Sequence, residues 1–112
     1  MESKRQEKIA RLIQKDMGEI LQRYGQDMFR GAMVTVTKVY VTGDLSIARV
    51  YVSVFGVKDK EKVLESINSN KGELRFKLGR RVRNQLRKVP ELEFYIDDSL
   101  DYIDNIEQLL KK

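Results

Sequence analysis

The side chains best able to do chemistry in this sequence are the basic ones of residues 71–88, KGELRFKLGRRVRNQLRK. The large aliphatic residues of this segment recur at helical spacing, which predicts one amphipathic helix. With about 100° per residue, the face opposite the aliphatic one carries Phe76 and three arginines, Arg80, Arg83 and Arg87. Four further cations lie on the flanks of the same helix: Arg75, Lys77, Arg81 and Lys88. Guanidinium groups in such a row suit phosphate oxygens, because each presents several N–H donors in a planar fork.

A second basic row lies on the first predicted helix. Lys4, Lys8, Arg11 and Lys15 follow one another at intervals of four, three and four residues, which places them on one outward face. Three acidic residues of the same helix reduce the net charge of this row. Two basic helical faces on one small domain are typical of proteins that bind a polyphosphate, so we predict a nucleic-acid partner.

The distribution of charge also allows a purely structural interpretation. Residues 71–89 carry eight basic and one acidic side chain, whereas residues 91–110 carry no basic and seven acidic ones. The acidic segment could therefore neutralise the basic one within the same chain. Like charges four residues apart destabilise a helix by a few tenths of a kcal/mol, so folding alone disfavours the basic row. We therefore favour phosphate binding.

Aromatic residues near these cations leave two interpretations open. Phe76 could stack on a nucleobase or pack beneath a C-terminal helix, and we favour packing. Tyr51 and Phe55 share the outward face of a predicted strand with Arg49, where they could stack on bases or simply cover a half-exposed sheet. We favour the second interpretation.

Most catalytic chemistry is excluded by composition. The chain contains no histidine and no cysteine, which removes the commonest general base and the commonest soft metal ligand and nucleophile. Asp97, Asp98, Asp101 and Asp104 could in principle hold Mg²⁺, but acids at the start of a helix are better explained by its dipole. We predict no catalytic residue, no metal site, no cofactor and no small-molecule substrate.

Length and hydropathy set the organisation of the chain. A sequence of 112 residues fits one compact domain, which we place at residues 1–98, followed by an acidic helix or tail at residues 99–112. The N-terminus lacks the apolar core of a signal peptide and no apolar run could span a bilayer, so we expect a cytoplasmic protein with no membrane partner.

The predicted elements follow the order helix, strand, strand, helix, helix, strand, helix. A helix at residues 3–24, ended by Gly25, precedes a loop at 26–31. A β-hairpin follows at 32–42 and 46–55, and its first strand changes phase between Val36 and Val39, which indicates a bulge. Helices at 58–69 and 71–88, a strand at 91–96 and a final helix at 99–110 complete an α+β chain.

Three collinear blocks of this chain together resemble the ribosome-binding factor A family: VTVTKVYVTGDLSIARVYVSVFG, INSNKGELRFKLGRRVR and VPELEFYIDDSLDYIDNIEQLL. The resemblance implies a type II KH-like fold, with a three-stranded sheet, helices on one face and a helix-kink-helix in place of the usual G-x-x-G loop. Gly72 would then belong to the kink. The resemblance also favours Arg75, Arg80, Arg81 and Arg83 as RNA contacts.

The functional expectations also come from the resemblance. It implies a bacterial cytoplasmic protein that binds the 30S ribosomal subunit, helps to mature the 5′ end of its 16S rRNA and supports assembly in the cold. We also expect a monomer that binds RNA without catalysis. The residues themselves leave two alternatives: a protein–protein interaction module that uses the acidic C-terminal helix, and a duplex DNA binder. No signal of a dimer supports the second.

Overall fold

One three-stranded sheet organises the chain, and the helices pack on one of its faces. The computed structural model describes residues 3–29 and 31–97. The elements are α1 (Lys4–Met28), β1 (Met33–Val41), β2 (Ile47–Phe55), α2 (Lys60–Ser69), α3 (Lys71–Val82) and β3 (Glu91–Ile96). This α+β order is the one expected for the type II KH-like fold. The predicted helix at 99–110 lies outside the described residues, as does Arg30.

β2 is the central strand of the sheet. It pairs antiparallel with β1 through the predicted hairpin and parallel with β3, for which α2 and α3 form the crossover connection. The predicted inward face of β2 is confirmed, since Ala48, Val50, Val52 and Val54 are all buried. Ser53, predicted on the uncovered face, is buried as well, so the alternation of buried and exposed residues does not extend to it. The opposite face of the sheet carries partly exposed aromatic side chains.

The predicted change of phase in β1 is also confirmed. The register with β2 shifts between Val36 and Lys38, so Thr37 is the extra residue of a β-bulge. The Thr37 hydroxyl donates to a carboxylate oxygen of Asp97 at 2.6 Å. The bulge is thereby tied to the residue that directly follows β3.

Helix α1 begins as predicted but continues past Gly25, so the prediction that Gly25 ends it is wrong. Ser3 and Gln6 form a reciprocal capping box at its N-terminus. At the other end, the Phe29 ring packs on Gly25, where an added Cβ would lie 3.1 Å from a ring carbon. Glycine therefore serves here for close packing, and the connection to β1 is shorter than the predicted loop.

The predicted junction between α2 and α3 is present and consists of one residue. Asn70 ends α2, where its side-chain amide donates to the Ser66 carbonyl at 2.8 Å. Gly72 lies in the first turn of α3, and it is not among the glycines with positive φ. The bend is made by Asn70, and no backbone conformation explains Gly72.

Helix α3 ends at Val82, six residues before the predicted end at Lys88. The chain reverses there and runs back along α3 towards β3. Val89 packs on Gly79, where an added Cβ would lie 3.4 Å from a Val89 methyl carbon. A helix continued to Lys88 would carry the chain about 9 Å further from β3, so the short crossover requires the early end.

Candidate nucleic-acid interface

Eight of the predicted cations are exposed and have no carboxylate partner among residues 3–29 and 31–97. They are Lys4, Lys8, Arg11 and Lys15 of α1, together with Arg80, Arg83, Arg87 and Lys88. Within this described part of the chain, no carboxylate therefore competes with a partner for their charge.

Arg81 is engaged inside the fold instead. Its guanidinium lies 2.5 Å from a carboxylate oxygen of Glu19 and 3.4 Å from one of Asp16, both on α1. The hydrogen bond to Glu19 is the main cause that raises the pKa of Arg81 above its usual value. Arg81 therefore joins α3 to α1, and a role in binding RNA stays a prediction.

Arg75 and Lys77 also have partners within the fold. The Arg75 guanidinium donates to the backbone carbonyls of Val89 at 2.7 Å and Pro90 at 3.2 Å, which holds the returning segment against α3. The Lys77 ammonium lies 3.9 Å from the centre of the Tyr24 ring and forms an ion pair with a carboxylate one helical turn earlier. These contacts hold both side chains against the protein, and the carboxylate also offsets the charge of Lys77.

The early end of α3 changes the predicted position of three cations. Arg83 caps the helix, and Arg87 and Lys88 lie on the returning segment, so the predicted straight helical row is wrong beyond Val82. The reversal brings Arg87 and Lys88 to a cleft that Arg5 and Lys8 of α1 also line. Arg5 was missed because helical spacing in α1 cannot reveal a cleft formed with residues about eighty positions later.

The basic row of α1 divides between two sides of the helix. Lys8 lines the cleft just described, whereas Arg11 and Lys15 line a shallow groove between α1 and β1. Glu19 lines that groove as well, so its charge is less uniform. The groove also includes Gly18, which contacts no atom that would exclude a larger side chain. The more strongly basic surface is the one on the side of Lys8.

The open face of the sheet satisfies its own polar groups. Tyr51 stacks on Tyr95 with 5.5 Å between ring centres, and Arg49 forms an ion pair with Glu93 at 3.3 Å. Glu93 also accepts a hydrogen bond from the Tyr95 hydroxyl, which raises the pKa of Tyr95. Phe55 is exposed at the far end of this face. These contacts support the interpretation that the aromatic residues cover a half-exposed sheet.

Phe76 is 65% exposed on the outward side of α3. The C-terminal helix beneath which we expected it to pack lies outside the described residues.

Within residues 3–29 and 31–97, no group of three or more acidic residues is arranged to hold a metal ion, and no helix has the length and apolar character needed to cross a bilayer.

Comparison with known proteins gives consistent matches over most of the chain. Residues 5–110 match the family model described as ribosome-binding factor A. Ribosome-binding factor A of Christiangramia forsetii is 50% identical over 111 residues, which cover 98% of this chain and 85% of the relative. The protein of the same name from Flavobacterium psychrophilum gives the same identity and coverage.

A crystal structure and a fitted homology model of the Thermus thermophilus protein are similar to this structure. The crystal structure of its ribosome-binding factor A superposes with a TM-score of 0.69 at 25% identity, covering 81% of this chain and 94% of that one. A homology model of the Thermus protein, fitted into a cryo-EM map of a 30S–RbfA complex, has a TM-score of 0.62 at 27% identity and covers 78% and 89%.

Proposed function

The chain belongs to the ribosome-binding factor A family, and we propose that it binds the 30S small ribosomal subunit and assists late maturation of its 16S rRNA. One observation carries the proposal: eight exposed cations from two separate stretches of chain have no carboxylate partner among the described residues. The fitting of the related Thermus protein into the map of a 30S complex supports the same partner for this chain.

The proposed action is binding without catalysis. Cations on α1 and around the end of α3 would replace counterions on neighbouring rRNA strands and hold those strands in one local arrangement. Processing of 16S rRNA, support of assembly in the cold, a monomeric state and a cytoplasmic location belong to the same proposal. The absence of histidine and cysteine from the chain supports a role in binding.

The salt dependence of binding tests the electrostatic basis. If about five phosphates are engaged, the logarithm of the association constant should fall with the logarithm of salt concentration with a slope near −4. Cosedimentation of the protein with purified immature and mature 30S subunits, at several salt concentrations, measures this slope. An affinity that does not change with salt would contradict the proposal.

Charge reversal tests which cations take part. Replacing Arg80 and Arg83 by glutamate should weaken binding strongly and leave the melting temperature nearly unchanged, because both side chains are exposed and unpaired among the described residues. The matched control replaces Lys58 and Lys62 by glutamate, an equal change in charge at exposed positions outside both basic rows. Equal losses from the two double variants would show that only net charge matters.

Nuclease treatment separates RNA binding from the alternative of a protein-interaction module. The tagged protein should lose its association with 30S particles after digestion with RNase. Association that survives digestion would instead favour contacts with ribosomal proteins through the acidic C-terminal segment.

A further inference from the structure

A cleft with a volume of about 370 Å³ opens between the first turns of α1 and the segment that returns from α3. Four cations surround it: Arg5 and Lys8 from α1, and Arg87 and Lys88 from the returning segment. None of the described residues that line it is acidic. The cleft therefore provides a concentrated positive potential between two separate parts of the chain.

The floor of this cleft is apolar. Ile9 and Pro90 are buried beneath it, and Leu45 and Leu86 are partly buried beside them. A simple anion such as inorganic phosphate would gain nothing from such a floor. A nucleotide within an RNA strand has a flat base and a phosphate on each side of its sugar. The base can contact the apolar floor while the two phosphates contact the cations.

Leu45 reaches this floor through a strained backbone. Its φ of 63° lies in the left-handed region, which is unfavourable for a leucine and would suit glycine or asparagine. The turn is fixed by Asp44, whose carboxylate accepts hydrogen bonds from the hydroxyls of Ser46 at 2.7 Å and Thr42 at 2.8 Å. From this backbone position the Leu45 side chain packs against the hydrophobic core, and it also lines the cleft.

We propose that this cleft binds one unstacked nucleotide of single-stranded RNA, with its base against Leu45 and Leu86 and its flanking phosphates against Arg5, Lys8 and Arg87. The proposal rests on the proposed function and deepens it by naming the form of RNA that is recognised. The volume lies in the lower part of the range for small-ligand pockets, which suits a single nucleotide. The exposed amide of Gln85, also at the cleft, can both donate to and accept from a base edge.

The cleft lies apart from the bend that replaces the G-x-x-G loop. That bend is at Asn70, at the N-terminal end of α3, whereas Gln85 to Lys88 follow its C-terminal end. The 12 residues of α3 separate the two ends by about 18 Å. Contacts at the bend and contacts in the cleft can therefore be distinguished by mapping.

A substitution at Leu45 tests the use of the floor. Leu45→Asn removes the apolar side chain, which packs against the core, but accepts the left-handed backbone; the two effects oppose each other, so the variant should still fold with a melting temperature close to that of the wild type. Its affinity for a fluorescein-labelled, unstructured RNA octamer should fall about fivefold, because the apolar contact between a base and the leucine is lost. Its affinity for an RNA duplex that has no unpaired base should stay unchanged.

A matched leucine elsewhere serves as the control. Leu64→Asn makes the same change at a partly buried position on α2, away from the cleft, and should leave affinity for the octamer unchanged. If Leu45→Asn binds octamer and duplex as the wild type does, the cleft proposal is overturned while binding to 30S subunits can persist. If the wild type binds 30S subunits without salt dependence, the proposed function itself fails.

Photocrosslinking of the wild-type protein gives a test that does not depend on folding of a variant. An octamer with 4-thiouridine at a central position should crosslink to peptides that contain Leu45 or residues 85–90. Crosslinks confined to the open sheet face, around Tyr51 and Phe55, or to the bend at Asn70 would contradict the proposal.

Discussion

Arg80 and Arg81 are neighbours on α3 with opposite expected roles, and charge reversal should separate them. Arg81→Glu would place a third carboxylate beside Asp16 and Glu19, where the wild-type guanidinium makes contacts of 3.4 and 2.5 Å. Two charges about 4 Å apart interact by about 1 kcal/mol in water and about 4 kcal/mol at an effective dielectric constant of 20. Because the Arg81 side chain is 29% exposed and that of Glu19 is 51% exposed, we take a value towards the lower end, about 2 kcal/mol.

For a domain of this size, a loss of about 2 kcal/mol lowers the melting temperature by about 8–16 °C. Arg80→Glu should change stability by about 0.5 kcal/mol or less, since its side chain is exposed and has no ion pair among the described residues. Thermal unfolding followed by circular dichroism measures both, and cosedimentation with 30S subunits should show weaker binding for Arg80→Glu. Adding 0.5 M salt should reduce the difference in stability.

A charge-swap variant provides the internal control for this prediction. Glu19→Arg combined with Arg81→Glu reverses the pair and should recover part of the melting temperature that Arg81→Glu loses. Equal melting temperatures for Arg80→Glu and Arg81→Glu would refute the reasoning, because they would show that the contacts to Asp16 and Glu19 contribute nothing to stability.

Other positions make shorter tests of the same structure. Hydrogen bonds from Ser46 and Thr42 should lower the pKa of Asp44 from 3.8 to about 2, which a carboxyl NMR titration measures. The contribution of this carboxylate to stability is therefore complete above pH 4 and is lost as the pH falls towards 2. A measured pKa near 4 would contradict these hydrogen bonds. Gly18→Ala should stabilise the protein by about 1 kcal/mol in denaturant unfolding, whereas Gly25→Ala should not, because its Cβ would meet Phe29. Arg75→Met should destabilise by about 1–3 kcal/mol by leaving two backbone carbonyls without their donor, and an unchanged midpoint in urea would exclude this role.

The parts of the fold that depend on local pattern could be predicted from the sequence. The alternation in β2 and the change of phase at Thr37 both follow from which side chains must face the helices, and both are present. The apolar spacing of α1 likewise predicts a helix from about residue 3, and the observed helix begins at Lys4.

The ends of helices could not be predicted in the same way, because they depend on packing between distant residues. Gly25 would normally end a helix, but the Phe29 ring covers it and α1 continues. The apolar spacing of α3 continues to Leu86, although the chain has already reversed at Val82 to reach β3. Leu86 still packs on the core, as its spacing in the sequence predicts, although it lies outside the helix.

Packing between distant residues also determines which site residues could be predicted from the sequence. A helical wheel treats Arg80 and Arg81 as neighbours on one basic surface, because it contains no information on what packs against each. Packing of α1 on α3 supplies carboxylates to Arg81 and none to Arg80 within the described part of the chain, and the reversal after Val82 brings Arg87 towards Arg5. Sequence charge therefore indicates the class of partner, but the tertiary fold decides which cations are available to it.

The cations fall into two groups: those that hold elements of the fold together and those that have no carboxylate partner among the described residues. Arg81 ties α1 to α3, and Arg75 ties the returning segment to α3, so the elements that form the cleft are held by cations that already have partners within the fold. Among the described residues, Lys8 and Arg87 have no carboxylate partner, so a phosphate can reach them there without breaking an ion pair. The proposed binding would therefore cost little free energy of reorganisation, which favours rapid association.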